Sequence, residues 1–220
     1  MRIFAVLAIV LSILSVPGCN EPPLYRQRAR AFLEQQNVAP ATIAKLVEIR
    51  PLTGRESAML AQFDSVPVLH LLGANPSLPR PMVERLAKHP DYEVRTGLAT
   101  NPKAPLELLM GFRTPGRYTT LNNSLARNPR IPKAILWEMY ENGEAGLTSF
   151  ALNPNSPTRL LFRIADEGSE VDRAWLATNP SLPEALMSRL ERDGSRVVRR
   201  YLETNPAYKK PRKGGNDTSG

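Results

Sequence analysis

The sequence predicts an all-α fold built as a solenoid of short two-helix repeats, and three observations predict it. Asn-Pro recurs six times along the second two thirds of the chain, at Asn75-Pro76, Asn101-Pro102, Asn128-Pro129, Asn153-Pro154, Asn179-Pro180 and Asn205-Pro206. The spacings are 26, 27, 25, 26 and 26 residues, and a fixed period in this range is the signature of a repeat architecture. Proline is abundant, at 21 of 220 residues, which excludes long uninterrupted helices and suits a fold that places Pro at the start of many short ones.

Counting from each Asn as position zero, position +4 is Pro in five repeats: Pro79, Pro105, Pro132, Pro157 and Pro183. Position +7 is Met82, Leu108, Ile135, Leu160 and Leu186; position +8 is Val83, Leu109, Leu136, Leu161 and Met187. Position +11 is Leu86, Phe112, Met139, Ile164 and Leu190, and position −3 is Leu72, Leu98, Leu125, Phe150, Leu176 and Leu202. Apolar residues at +7, +8 and +11 share one helical face. A second short helix runs into each Leu-Ala-x-Asn-Pro, where Pro halts it and drives the preceding Asn out of the α region. Ser181 with Glu184 has the spacing of a capping box, and Ser156 directly precedes Pro157. No repeat can cover its own apolar face, so neighbours must stack.

The six Asn residues, Asn75, Asn101, Asn128, Asn153, Asn179 and Asn205, read as a structural ladder whose side chains satisfy backbone groups released at each Asn-Pro corner. The functional rival is a ligand-binding row. The structural reading takes precedence because six copies at repeat corners are what a scaffold requires.

The pattern Leu-Ala-x-Asn-Pro-x-x-Pro, with Val94-Arg95 and Val198-Arg199, resembles the leucine-rich repeat variant family over Val66 to Pro206. The resemblance implies alternating α and 3₁₀ helices in a right-handed superhelix related to HEAT-type stacks. The expected architecture is therefore a right-handed superhelical solenoid of about six to seven two-helix repeats of ~26 residues. The family's usual period is about two residues shorter, so the extra residues are expected to turn the 3₁₀ segment into a proper helix. Some members carry an iron–sulfur cluster on a Cys-rich segment. A chain whose only Cys is Cys19 cannot, and no cofactor is expected.

The N-terminus reads Met1-Arg2, an apolar run from Ile3 to Val16, then Pro17-Gly18-Cys19. One cation, a short apolar stretch and a small residue at its end fit a secretory signal over 1–18. The run is shorter than the roughly 20 residues that span a bilayer. A single thiol in an exported chain forms no internal disulfide. Val16-Pro17-Gly18-Cys19 resembles the lipobox of bacterial lipoproteins, although Pro17 departs from the usual choice. That resemblance implies a diacylglyceryl group on the Cys19 thiol, cleavage before Cys19 and a membrane anchor; in the enteric pattern Asn20 at the next position points to the outer membrane, facing the periplasm. Residues 19–23 are a short tether that holds the body close to the membrane surface.

Residues 24–71 read as an atypical N-terminal capping repeat. Pro40, Ile43, Ala44 and Val47 fit the pattern if Gln36 stands in for Asn, and an added helix lies near Glu56 to Phe63. Residues 72–206 form the solenoid. Residues 207–220, rich in Lys, Gly, Asn and Ser, read as a basic disordered tail.

Little in the chain suggests catalysis, and it is not expected to be an enzyme. His70 and His89 fall in different repeats without carboxylate or Cys neighbours at metal-ligand spacing, and both read as ordinary helix-surface residues. No phosphate-binding Gly loop and no nucleophile motif is present. The net charge of +8 favours an anionic partner without choosing one. Arg occupies position −6 in three repeats (Arg95, Arg173, Arg199), and position −4 is aromatic in the last two, Trp175 and Tyr201. With Arg196 and Arg200 these residues would make a basic, aromatic partner-binding strip; the competing reading is a solvated helix face, with Asp91–Arg95 as a local pair. The expected function is a non-catalytic protein-interaction scaffold anchored in the cell envelope by Cys19, meeting a protein partner there. The alternative is a basic helical-repeat protein binding nucleic acid or another polyanion, which export would make unsuitable.

Overall fold

A computed structural model describes residues 22–117 and 119–209, and every regular element among them is an α-helix. The apolar N-terminal run, Cys19 and residues 210–220 lie outside the described residues, so the signal, the anchor and most of the tail are not placed.

The helices are α1 (Pro22–Gln35), α2 (Pro40–Val47), α3 (Gly54–Leu60), α4 (Val66–Ala74), α5 (Arg80–Ala87), α6 (Tyr92–Thr100) and α7 (Leu106–Phe112), followed by α8 (Thr120–Arg127), α9 (Lys133–Glu141), α10 (Leu147–Ala151), α11 (Thr158–Glu167), α12 (Glu170–Ala177), α13 (Glu184–Leu190) and α14 (Arg196–Glu203). Each Asn-Pro from Asn75-Pro76 to Asn179-Pro180 lies between two of them, and Asn205-Pro206 follows α14. The helix before it, the first helix of the corner, is α4, α6, α8, α10, α12 or α14. The helix after it, the second, is α5, α7, α9, α11 or α13.

Local chemistry sets the boundaries. Asn75, Asn101 and Asn128 are the C-caps of α4, α6 and α8 and have extended backbone, as a following Pro requires. The Pro at +4 is the N-cap of each second helix, with φ between −58 and −69. It has no N–H to leave unpaired there. The Ser181–Glu184 capping box does not form: Pro183 takes the cap position and the Ser181 N–H donates to Asn179 Oδ1. Capping boxes form instead at Thr53–Glu56 and Ser169–Asp172.

The first helices make a continuous row, each packing on the next from α4 to α14, with α1 packed on α4 at the front. Second helices α5, α7, α11 and α13 pack against the first helices on either side of them. The −3 residues are all buried, and so is a +3 row of Leu78, Ala104, Ile131, Ser156 and Leu182. The row is tightest between α4 and α6. A Cβ on Gly97 would lie 2.1 Å from the His70 carbonyl oxygen, and one on Gly73 would lie 3.0 Å from the Leu98 nitrogen. Only glycine lets the two backbones come this close.

Two boundaries differ from expectation. Gln36 is exposed and holds no corner; the first ladder residue, Asn75, donates instead to the Arg50 carbonyl in the loop between α2 and α3. The body also extends past Pro206. The Ala207 N–H donates to Asn205 Oδ1, and Tyr208 packs on the core while its hydroxyl donates to Glu191. The Glu191 carboxylate raises the Tyr208 phenol to about 12. Truncation before Ala207 is therefore expected to lower the melting temperature by several degrees, since ~1 kcal/mol shifts a domain of this size by about 2–4 °C. Differential scanning calorimetry of the shortened chain checks this.

Candidate functional site

The most regular polar arrangement is the Asn ladder. The Asn128 amide donates to the Ala99 and Asn101 carbonyls at 2.7 and 2.9 Å, and its Oδ1 accepts the Arg130 N–H at 2.8 Å. Asn101, Asn153, Asn179 and Asn205 repeat the geometry, each donating to the previous ladder carbonyl and to the carbonyl two residues before it. All six Asn side chains are 3% exposed or less. Both amide hydrogens are spent within the fold in these five, so none is presented to a ligand.

The residues of the basic strip do not lie together on one open flank. Arg173 grips Asp193 through Nε at 2.7 Å and a second nitrogen at 3.2 Å, and donates to the Gly168 carbonyl at 2.9 Å. This guanidinium holds the Asp193 carboxyl below its ordinary range, and the carboxylate in turn raises Arg173. Arg199 donates to the Asp193 carbonyl, and Arg95 to those of His89 and Pro90. Position −6 is thus a brace to the corner behind it, where terminal helix carbonyls favour a cation. Asn122 holds the same position in α8 and bonds Thr114 and Arg117. The expected Asp91–Arg95 pair is replaced by an N-cap, in which Asp91 accepts the Glu93 N–H. Trp175 is only 5% exposed and meets Tyr201 edge-on at 5.7 Å, so it anchors the core and is closed to a partner. Arg196 and Arg200 are exposed, with Tyr201 half-buried beside them.

His70 is not a surface residue. It is 5% exposed, its ring stacks on Tyr25 of α1 at 4.3 Å, and Nδ1 donates to the Glu93 carbonyl of α6 at 2.8 Å. His89 is half-buried and accepts the Asp91 N–H on Nδ1. Burial pushes the His70 imidazole below its ordinary 6.5. The unfolded chain therefore binds the proton more tightly than the folded one. The stability contributed by neutral His70 is fully present above pH 6.5 and is lost progressively as pH falls below it. Urea midpoints measured from pH 7.5 downwards should fall, with a shallower fall in His70→Gln over that first window.

Sequence reasoning missed a buried ion pair. Arg113 grips Glu144 with two bonds of 2.7 Å and reaches Glu138 at 2.9 Å, while Gly116 N–H and Asn142 also donate to Glu144. The pair fastens the loop after α7 to the turn before α10, and its residues fall outside the recurring positions. Among the described residues, no three His, Cys, Asp or Glu side chains are grouped to hold a metal ion, and no helix is long and apolar enough to cross a membrane. Comparison with family models, curated proteins and solved structures finds no match to this chain.

Proposed function

We propose that the chain is an envelope lipoprotein, anchored through Cys19 and facing the periplasm from the outer membrane, whose body is a non-catalytic interaction scaffold. The body is read as a right-handed superhelical solenoid of about six to seven repeats of ~26 residues, consistent with the unbroken row of first helices. The observation that carries the scaffold reading is the inward commitment of the repeated polar groups. The ladder amides and the braces at Arg95, Arg173 and Arg199 serve the frame, leaving its outer surfaces to meet a partner. The same observation weighs against a continuous polyanion-binding strip, because Arg173 is neutralised by Asp193 and Arg189 pairs with Asp166.

Radiolabelled fatty acid supplied to cells tests the anchor. Native protein is expected to take up label and sediment with membranes, while Cys19→Ser does neither. If both forms remain soluble and unlabelled, the reading moves to a basic helical-repeat protein that binds nucleic acid.

A further inference from the structure

Two clefts at equivalent places in the stack differ in charge. One opens between the ends of α5 and α7, beside α6, with a volume of about 460 Å³; the other opens between α11 and α13, beside α12, with about 560 Å³. Both are lined by position +12 of one repeat and by positions −6 and +11 of the next: Ala87, Arg95 and Phe112 in the first, Ala165, Arg173 and Leu190 in the second. The α11–α13 cleft is neutralised from within. Asp193 takes Nε and Nη2 of Arg173, and Asp166 pairs with Arg189 at 2.6 Å. In the α5–α7 cleft both acids are replaced. By the same count Pro115 stands where Asp193 does, Lys88 where Asp166 does, and Gly111 where Arg189 does. Arg95 still donates through Nη1 to the corner behind it, but its Nε and Nη2 have no partner among the described residues. The exposed Lys88 ammonium has none either. Asp91, in the same corner, is committed to the Glu93 N–H, and none of the described lining residues is acidic. Half-buried Phe112 and Leu121 supply an apolar wall.

We infer that the α5–α7 cleft binds a carboxylate that carries an apolar substituent, as the C-terminal residue of a polypeptide does. The carboxylate takes Nε and Nη2 of Arg95 as Asp193 takes those of Arg173, a planar fork meeting a planar acceptor. The apolar group lies against Phe112 and Leu121, and Lys88 adds its charge. The space left at Gly111, where a Cβ would meet nothing within 4 Å, admits the ligand where Arg189 lines the other cleft. The volume is within the roughly 300–1,000 Å³ of small-ligand sites. Such a site deepens the scaffold reading, on which it rests for its role in the envelope, but its chemistry does not need the lipid anchor.

The test uses the full chain in non-ionic detergent and a short fluorescein-labelled peptide ending in leucine, either as the free acid or as the amide. Binding is read by anisotropy. The free acid is expected to bind about tenfold or more tightly than the amide. Thr114→Asp sets a carboxylate of the chain itself at the cleft, on a side chain that makes no hydrogen bond among the described residues, and should abolish binding. Arg95→Gln should cost about as much as amidation, while the distant Arg196→Gln leaves the affinity unchanged. Should Arg95→Gln lose its thermal transition, Lys88→Glu takes its place, with a smaller loss. N-acetyl-leucine separates the two sources of the carboxylate: displacement near the peptide's own Kd marks a free small molecule, and displacement only in large excess marks a polypeptide end. Failure of the free acid to bind, equal binding of acid and amide, or native affinity in Thr114→Asp overturns the inference. So does inorganic phosphate that competes better than N-acetyl-leucine, since the cleft would then select phosphate. Absence of fatty-acid label on Cys19 removes the anchor and leaves this result standing, whereas labelled protein that binds no carboxylate keeps the anchor and removes the site.

Discussion

Asn128→Asp is expected to destabilise the protein by on the order of 4 kcal/mol at neutral pH, although the two side chains have nearly the same shape. The native amide gives both hydrogens to the Ala99 and Asn101 carbonyls in a buried corner. An ionised carboxylate gives none, and sets its charge against two carbonyl oxygens that lose their donor. Protonation relieves the charge and returns one donor, so the deficit should shrink as pH falls. Urea unfolding of native and variant chains at neutral and mildly acidic pH checks both the size and the direction. A variant as stable as the native chain would mean that the ladder contributes nothing beyond its backbone turns.

Gly97→Ala is the second large effect, at about 3 kcal/mol. The new methyl would sit 2.1 Å from the His70 carbonyl oxygen, an atom of the α4 backbone that cannot rotate away. The two helices must separate, which loosens Leu72 and Leu98 on either side. Gly111, in α7, makes the control. A Cβ there meets nothing within 4 Å, so Gly111→Ala should be neutral or stabilise by about 0.5–1 kcal/mol through its helix preference. Melting temperatures of the two variants should move in opposite directions or at least separate by several degrees.

The all-helical class, the helix stops at each Asn-Pro and the buried −3 row are legible in the sequence, because each depends on short-range rules that recur with the period. Pro halts one helix and caps the next, and the apolar residues between them keep a helical spacing. Features that are not legible depend on partners outside that period. The position −6 Arg residues look like an open charged row until Asp193 and the corner carbonyls behind them are in place. His70 looks exposed on its own helix and is buried because Tyr25 of α1 and the α6 backbone close over it. Asn122 replaces Arg with a different side chain that braces the same corner, so identity-based alignment passes over it. Glu144 and Arg113 are 31 residues apart, and no local pattern pairs them. Ser181 shows the reverse error: its spacing to Glu184 is right, but Pro183 has already taken the cap.

The ladder bonds all run in one sense, each amide reaching back to carbonyls made earlier in the chain. Every repeat thus finds its acceptors already synthesised when it leaves the ribosome or emerges from a translocation channel, and none must wait for a later repeat. Damage is correspondingly one-sided. Loss of repeats from the C-terminal end frees carbonyl acceptors at the new end, whereas loss from the N-terminal end takes both acceptors from the next ladder amide and leaves its hydrogens to water.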